Sequence, residues 1–292
     1  MAKEIPSTQL NDGTTIPLLG YGTGTALYKA SNLDSIDRTT VDYIKTAISL
    51  GYYHLDGAEM YNTEPEIGVA IKESGVPREK LYITTKVIHN VNNIAKGLDI
   101  SLAKLGVDHV DLYLIHNPWW STKETLQKAW KDMEAVQKSG KTKSIGVSNF
   151  LQSHLETVLE IATIVPVINQ LEYHPYLQRG NLVPWSKSKG IATAAYGPLT
   201  PIRKASPGPL DPVLQKFSEK YGVSQEAVLL RWVIQKGVVA VTTSGKKERL
   251  QIYLGILNFE LTDDEVEDIT KAGKTKHFRA NNWQHDYGDS RE

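Results

Sequence analysis

The chain has 292 residues, 40% of them apolar, and its 33 lysines and arginines match its 33 aspartates and glutamates. That balance leaves no bulk field toward nucleic acid or an acidic membrane, and the lack of cysteine excludes disulfides, thiol nucleophiles and thiolate metal sites while fitting a reducing compartment. No apolar stretch has the length of a signal peptide or a membrane span, so a soluble cytoplasmic protein is expected.

The segment TQLNDGTTIP reads as a small hairpin around Asp12-Gly13. Beyond it, strand-like and helix-like stretches alternate. Strands are expected at Leu18 to Tyr21, His54 to Asp56, Leu81 to Lys86 and Val110 to His116. Four more follow at Ser144 to Ser148, Val167 to Gln170, Ile191 to Tyr196 and Val238 to Thr242. Between them, apolar residues recur with a helical period. Val41, Ile44 and Ile48 form one stripe, and Ile94, Leu98, Leu102 and Leu105 a second. Leu126, Trp130, Met133 and Val136 or Gln137 form a third. Gly51, Gly75, Gly106, Gly140 and Gly190 stand where helices should end, each shortly before a strand.

The proline- and glycine-dense stretch Gly197 to Pro212 reads as a loop after strand seven, long enough to be functional. Two helices, Pro212 to Tyr221 and Ser224 to Gln235, precede the last strand. A final helix has Thr262 as its N-cap, with Glu265 completing a capping box. The tail 274–292 carries Phe278, Trp283 and Tyr287, and either is disordered or folds across the mouth.

Eight strands with helices between them predict an α/β fold, a single (β/α)8 barrel spanning residues 1–292. An open doubly wound sheet should carry a Gly-x-Gly-x-x-Gly turn that opens a helix. The segment Gly20 to Thr25 lacks that spacing, and a poor helix follows it.

Three consecutive strands finish on ionisable residues, Asp56, Lys86 and His116, and Tyr61 follows Asp56 closely. In a parallel barrel all C-terminal strand ends open onto one face, so these four residues predict one catalytic site. A phenol has an unperturbed pKa of about 10, which a neighbouring ammonium can lower by roughly 1 to 3 units. Lys86 is the candidate ammonium and Asp56 can hold it charged, which makes Tyr61 a general acid. His116 can orient a carbonyl oxygen beside it. Nothing in the set supplies a nucleophile, a metal site or electrons, so hydride transfer from a bound nicotinamide completes the chemistry.

Other strand ends supply cofactor contacts. Ser148, Asn149 and Gln170 can hydrogen-bond a carboxamide, and Tyr196 offers a flat face, followed by Gly197, Pro198 and Leu199. Thr23, Gly24 and Thr25 can line the cleft after strand one. After strand eight, Thr242, Thr243, Ser244 and Gly245 precede a helix, where hydroxyls and backbone N–H groups bind phosphate. Lys246, Lys247 and Arg249 add charge for a 2′-phosphate, which favours NADPH, with NADH as the alternative.

In order, GYYHLDGAEMYNTE, ITTK, DLYLIH, IGVSN, INQLEYHP and AAYGPL resemble the aldo-keto reductases over about Gly13 to Thr270. The resemblance implies a (β/α)8 barrel that binds extended NADPH and reduces aldehydes or ketones. It implies Tyr61 as proton donor, Lys86 and Asp56 as its tuning pair, and His116 as substrate orienter. It assigns Ser148, Asn149 and Gln170 to the nicotinamide, Tyr196 to stacking, and Ser244 and Arg249 to the adenosine phosphate. Three departures stand out: Gly24 and Asn117 where many members have tryptophan, and Thr243 where many have lysine. The first two imply a roomier or differently lined pocket, and the third leaves 2′-phosphate recognition to Lys246 and Arg249. Trp119 and Trp120 follow strand four on the mouth side, where substrate contact and simple loop packing are both open. The HNPWW and TTSGKKER segments look closest to fungal reductases of conjugated polyketones, α-keto lactones and α-keto esters.

The expected activity is NADPH-dependent reduction of a small activated ketone or aldehyde by a monomer or weak homodimer. Two rivals remain from the residues: a cofactor-binding regulatory barrel with little turnover, and a barrel hydrolase using Asp56 and water. His54, His89 and His174 read as ordinary structural or solvent-facing histidines.

Overall fold

A computed structural model of the chain describes residues 4–31 and 35–280. Trp283 and Tyr287 of the expected tail lie outside the described residues. The hairpin forms as β1 (Ser7–Gln9) and β2 (Thr15–Pro17), paired antiparallel around the Asp12-Gly13 turn. Eight parallel strands then close a barrel. They are β3 (Leu19–Gly22), β4 (His54–Asp56), β5 (Tyr82–Val87), β6 (Val110–Ile115), β7 (Thr142–Ser148), β8 (Ile168–Glu172), β9 (Ala192–Tyr196) and β10 (Val238–Thr242). Consecutive strands are neighbours, and β10 pairs with β3 to complete the circle. The expected strands all form, two of them with the expected ends and the others with ends shifted by one or two residues; His116 lies one residue beyond β6.

The helices are α1 (Arg38–Ser49), α2 (Glu64–Ser74), α3 (Ile94–Leu105), α4 (Lys123–Lys138), α5 (Gln152–Leu159) and α6 (Leu182–Ser188). They continue as α7 (Thr200–Arg203), α8 (Asp211–Tyr221), α9 (Gln225–Gln235), α10 (Lys247–Tyr253) and α11 (Asp263–Lys274). The three apolar stripes lie on α1, α3 and α4 and are buried, Val136 rather than Gln137 completing the third. Thr262 and Glu265 form the expected capping box of α11. Gly75 and Gly106 end their helices at φ +68° and +66°, a conformation that costs glycine nothing.

One expectation fails. The stretch Gly197 to Pro212 is not wholly loop, since it contains α7 and the start of α8. Pro201 and Pro212 each sit in a first helical turn, where proline's missing N–H is no loss. Here the prolines start helices instead of preventing them.

The hairpin closes the N-terminal end of the barrel. Leu10 and Ile16 are buried in a cluster with Tyr82, Leu112, Val167 and Val239, from the early halves of the strands. Burying each aliphatic side chain contributes about 1.5–3 kcal/mol. Asp12 accepts a hydrogen bond from Ser144 Oγ at 2.6 Å, and Asn11 donates to the Pro166 carbonyl at 3.0 Å. The opposite, C-terminal end is left for the site.

Candidate active site

The site is built on strand register. Asp56 pairs with Thr84 across β4 and β5, so Lys86, two residues beyond Thr84, points to the same face. Lys86 is fully buried and donates from Nζ to Asp56 Oδ1 at 2.7 Å and to the Gly57 carbonyl at 2.7 Å. Burial pushes the Lys86 ammonium down, and Asp56 opposes that by favouring its charged form. The second oxygen of Asp56 accepts from Gln170 Nε2 at 2.8 Å, so the carboxylate joins three strands.

After β4 the chain makes a 3-10 turn, Glu59–Tyr61, closed by Asn62 at φ +58°. This turn sets the Tyr61 ring over the barrel mouth. Lys86 Nζ lies 5.0 Å from the ring centroid. The Tyr61 hydroxyl is 3.4 Å from His116 Nε2, and the two rings meet edge to face at 5.4 Å. Burial holds His116 well below the usual imidazole range, reinforced by Lys86, so the ring is neutral and can donate from one nitrogen. The sequence predicts a phenol lowered by Lys86. In the structure the Tyr61 pKa is raised instead, by the loss of water around the phenolate and, after that, by the charge of Asp56.

On the other side, the ends of β7, β8 and β9 interlock. Ser148 Oγ donates to the Gln170 carbonyl at 2.8 Å. Asn149, at φ +62°, donates to the His116 carbonyl at 3.0 Å and accepts from the Tyr196 hydroxyl at 2.7 Å. Both ends of its amide are thereby engaged within the protein.

A cavity of about 790 Å³ opens along these groups. Gly24, Thr25, Asp56, Tyr61 and His116 line one part of it; Ser148, Asn149, Gln170 and Tyr196 line another. Gly197, Pro198 and Leu199, then Thr242, Thr243, Ser244, Gly245 and Arg249, line the rest. Lys86 stands behind this wall, bonded to Asp56.

Five expected contacts lie elsewhere. Thr23 turns inward, its hydroxyl donating to the Asp56 carbonyl and accepting from Thr63. Asn117 is buried, and the loop after β6 bonds to itself: Trp120 Nε1 donates to the Asn117 carbonyl, and the Trp119 N–H to Asn117 Oδ1. Trp120 packs on the core, so neither tryptophan lines the cavity. Lys246 is exposed at the start of α10, which has only seven residues.

The cavity also uses residues that the sequence did not single out, among them Tyr28, Met60, Arg203, Lys204, Tyr253 and Ala280. Arg203 and Lys204 lie in the stretch after strand seven, whose length was the signal. Ala280 shows the tail returning to the mouth, where its N–H donates to Glu172 Oε1 at 2.7 Å. His54 and His174 are buried against Thr84 and Glu172, and His89 is exposed, as ordinary histidines would be.

The donor set fits a nicotinamide dinucleotide: an amide and hydroxyls near a flat phenol at one part, hydroxyls and a guanidinium at the other. A parallel barrel carrying this set at its open end defines a nicotinamide-dependent oxidoreductase. The aldo/keto reductase family model matches residues 19–274, and the chain belongs to that family. It is 42% identical over 271 residues to an NAD/NADP-dependent indole-3-acetaldehyde reductase of Schizosaccharomyces pombe, covering 91% of this chain and 95% of that one. It is 39% identical over 279 residues to an NADPH-dependent alpha-keto amide reductase of Saccharomyces cerevisiae, covering 90% and 89%. The structure of a Bombyx mori aldo-keto reductase in complex with NADP superposes with a TM-score of 0.87, at 32% identity and full coverage of both chains.

Proposed function

We propose that the chain reduces a ketone or aldehyde to an alcohol with NADPH, and that Tyr61 donates the proton. Bound NADPH supplies the hydride to the carbonyl carbon. The chain's residues do the rest: His116 orients the carbonyl oxygen, Tyr61 protonates it, and the Lys86 ammonium, held charged by Asp56, faces the phenolate left behind. Raised by burial, the phenol holds its proton until negative charge develops on the substrate oxygen. The observation that carries this reading is the 3.4 Å approach of the Tyr61 hydroxyl to a neutral, buried imidazole.

Gln170 gives its N–H to Asp56, which leaves its Oε1 to accept from the carboxamide. Ser148 stands beside it, and Tyr196 supplies the stacking face. Asn149 acts as the clamp that fixes Tyr196 and His116. Arg249 lines the cavity together with Ser244, as do Arg203 and Lys204, and on Arg249 we base a preference for NADPH over NADH. An activated ketone beside a second carbonyl is the preferred substrate and a simple aldehyde the second. Gly24 supports this, since a Cβ there would lie 3.0 Å from the Tyr61 ring, so glycine leaves that ring uncrowded. The absence of cysteine supports a cytoplasmic setting. We expect one catalytic unit, working as a monomer or weak homodimer.

The test is cofactor oxidation followed by absorbance across diketones, α-keto esters, keto lactones and aldehydes, with NADPH, with NADH and with neither. Turnover of a dicarbonyl that requires NADPH supports the proposal. Product formed without any nicotinamide overturns it.

A further inference from the structure

Glu59 opens the turn that ends on Tyr61, and only 7% of it is exposed. A buried carboxylate is costly unless its oxygens find donors. Glu59 Oε2 accepts from the backbone N–H groups of Ile88 and His89 at 2.9 Å each, and from that of Asn90 at 3.4 Å. Its Oε1 accepts from Asn90 Nδ2. Three successive N–H groups converging on one oxygen form an anion-binding nest. Here the anion comes from the chain itself, two residues before the phenol.

The nest follows β5 directly, the strand that carries Lys86. Glu59 therefore ties the turn bearing Tyr61 to the end of the strand bearing its ammonium. Just before the turn, Gly57 is also tied to β5, its N–H donating to the Thr84 carbonyl at 2.8 Å and its carbonyl accepting from Lys86 Nζ. Within and after the turn, the Lys29 N–H donates to the Tyr61 carbonyl at 3.1 Å, and Asn62 Nδ2 donates to the Lys29 carbonyl at 3.1 Å. Both of these reach the loop after β3 and not β5. Gly57 fixes where the segment leaves β4, and the Glu59 side chain fixes the turn itself, and with it the phenol, against the end of β5. A catalytic group misplaced by about 1 Å can cost on the order of 100-fold in rate.

We propose that Glu59 is a positioning residue for Tyr61, locking the proton donor's turn onto the backbone nest that follows Lys86. This rests on Tyr61 being the proton donor. It deepens that reading by naming what fixes the donor in place.

The test uses full-length Glu59→Ala and Asn90→Ala proteins, each also made in a Tyr61→Phe background. NADPH affinity is read from tryptophan fluorescence and kcat is measured with a saturating diketone. Glu59→Ala should lower kcat by about 30-fold while NADPH affinity changes less than about 2-fold, because only the donor moves. Asn90→Ala, which removes one of the donors, should lower kcat by roughly 3-fold. In the Tyr61→Phe background, Glu59→Ala should change the residual rate by less than about 2-fold, since its effect passes through the phenol. An unchanged kcat, a parallel loss of NADPH affinity, or an equal fall in the Tyr61→Phe background overturns the inference. Should Glu59→Ala fail to fold, Asn90→Ala decides: its unchanged kcat overturns the inference and a selective fall supports it. Full turnover by Tyr61→Phe alone would instead remove the proton-donor reading. An inactive Tyr61→Phe beside a fully active Glu59→Ala removes only the role of Glu59.

Discussion

Lys86 and Asp56 form an ion pair whose side chains are 0% and 4% exposed, so neither charge has water to fall back on. Lys86→Met would leave the Asp56 carboxylate buried with only Gln170 as its partner. Breaking a buried pair on one side typically costs about 3–5 kcal/mol. Denaturant unfolding of Lys86→Met should show a loss of that order, together with a loss of turnover. A variant as stable as the parent would mean that the pair contributes little to folding. Asp56, Lys86 and His116 were legible in the sequence because strand-like runs ended on them, against what a core demands, and Tyr61 because it follows Asp56 closely. The sense of the Tyr61 shift was not, because it depends on how much water the folded mouth excludes. Thr23 was misplaced for a related reason: its position was right, but its hydroxyl found the Asp56 carbonyl and Thr63 instead of the cleft.

Strands and amphipathic helices could be read from their periods, and the barrel followed from their alternation. Loops after the strands were harder, because sequence places a loop at the mouth but not the direction in which it folds. The loop holding Asn117, Trp119 and Trp120 satisfies its own backbone and turns an indole onto the core. The helix α7 was hidden by prolines that also serve as helix starters. Close approach of α11 to the loop after β8 offers a test at this scale. A Cβ on Gly273 would lie 2.4 Å from the Pro175 carbonyl oxygen, so Gly273→Ala must push the helix away. Overpacking of this kind costs about 1–3 kcal/mol. Because α11 leads to the segment ending at Ala280 on the cavity wall, the variant should also raise KM for the carbonyl substrate more than it lowers kcat. Steady-state kinetics and a thermal melt check both parts, and an unchanged melt would contradict the packing argument.

The whole molecule carries several imidazoles held neutral by burial. His54 is lowered from 6.5 to about 4, and His116, His154 and His174 shift in the same direction for the same cause. Each takes up a proton more readily unfolded than folded. Their contribution to stability is therefore fully present above pH 6.5 and is lost as pH falls toward the folded values. His54 by itself accounts for roughly 3 kcal/mol between pH 6.5 and pH 4. Unfolding free energies measured in denaturant should drop steeply over this window, and a flat profile would contradict the burial of these rings.

The central claim is that a phenol at the mouth of the barrel gives its proton to the carbonyl oxygen as hydride arrives. Single-turnover mixing of NADPH-saturated parent and Tyr61→Phe with a diketone tests it most directly. The account predicts unchanged NADPH affinity and a rate lowered by at least about 100-fold, the contribution of a positioned general acid. A Tyr61→Phe protein that oxidises NADPH as fast as the parent would contradict it.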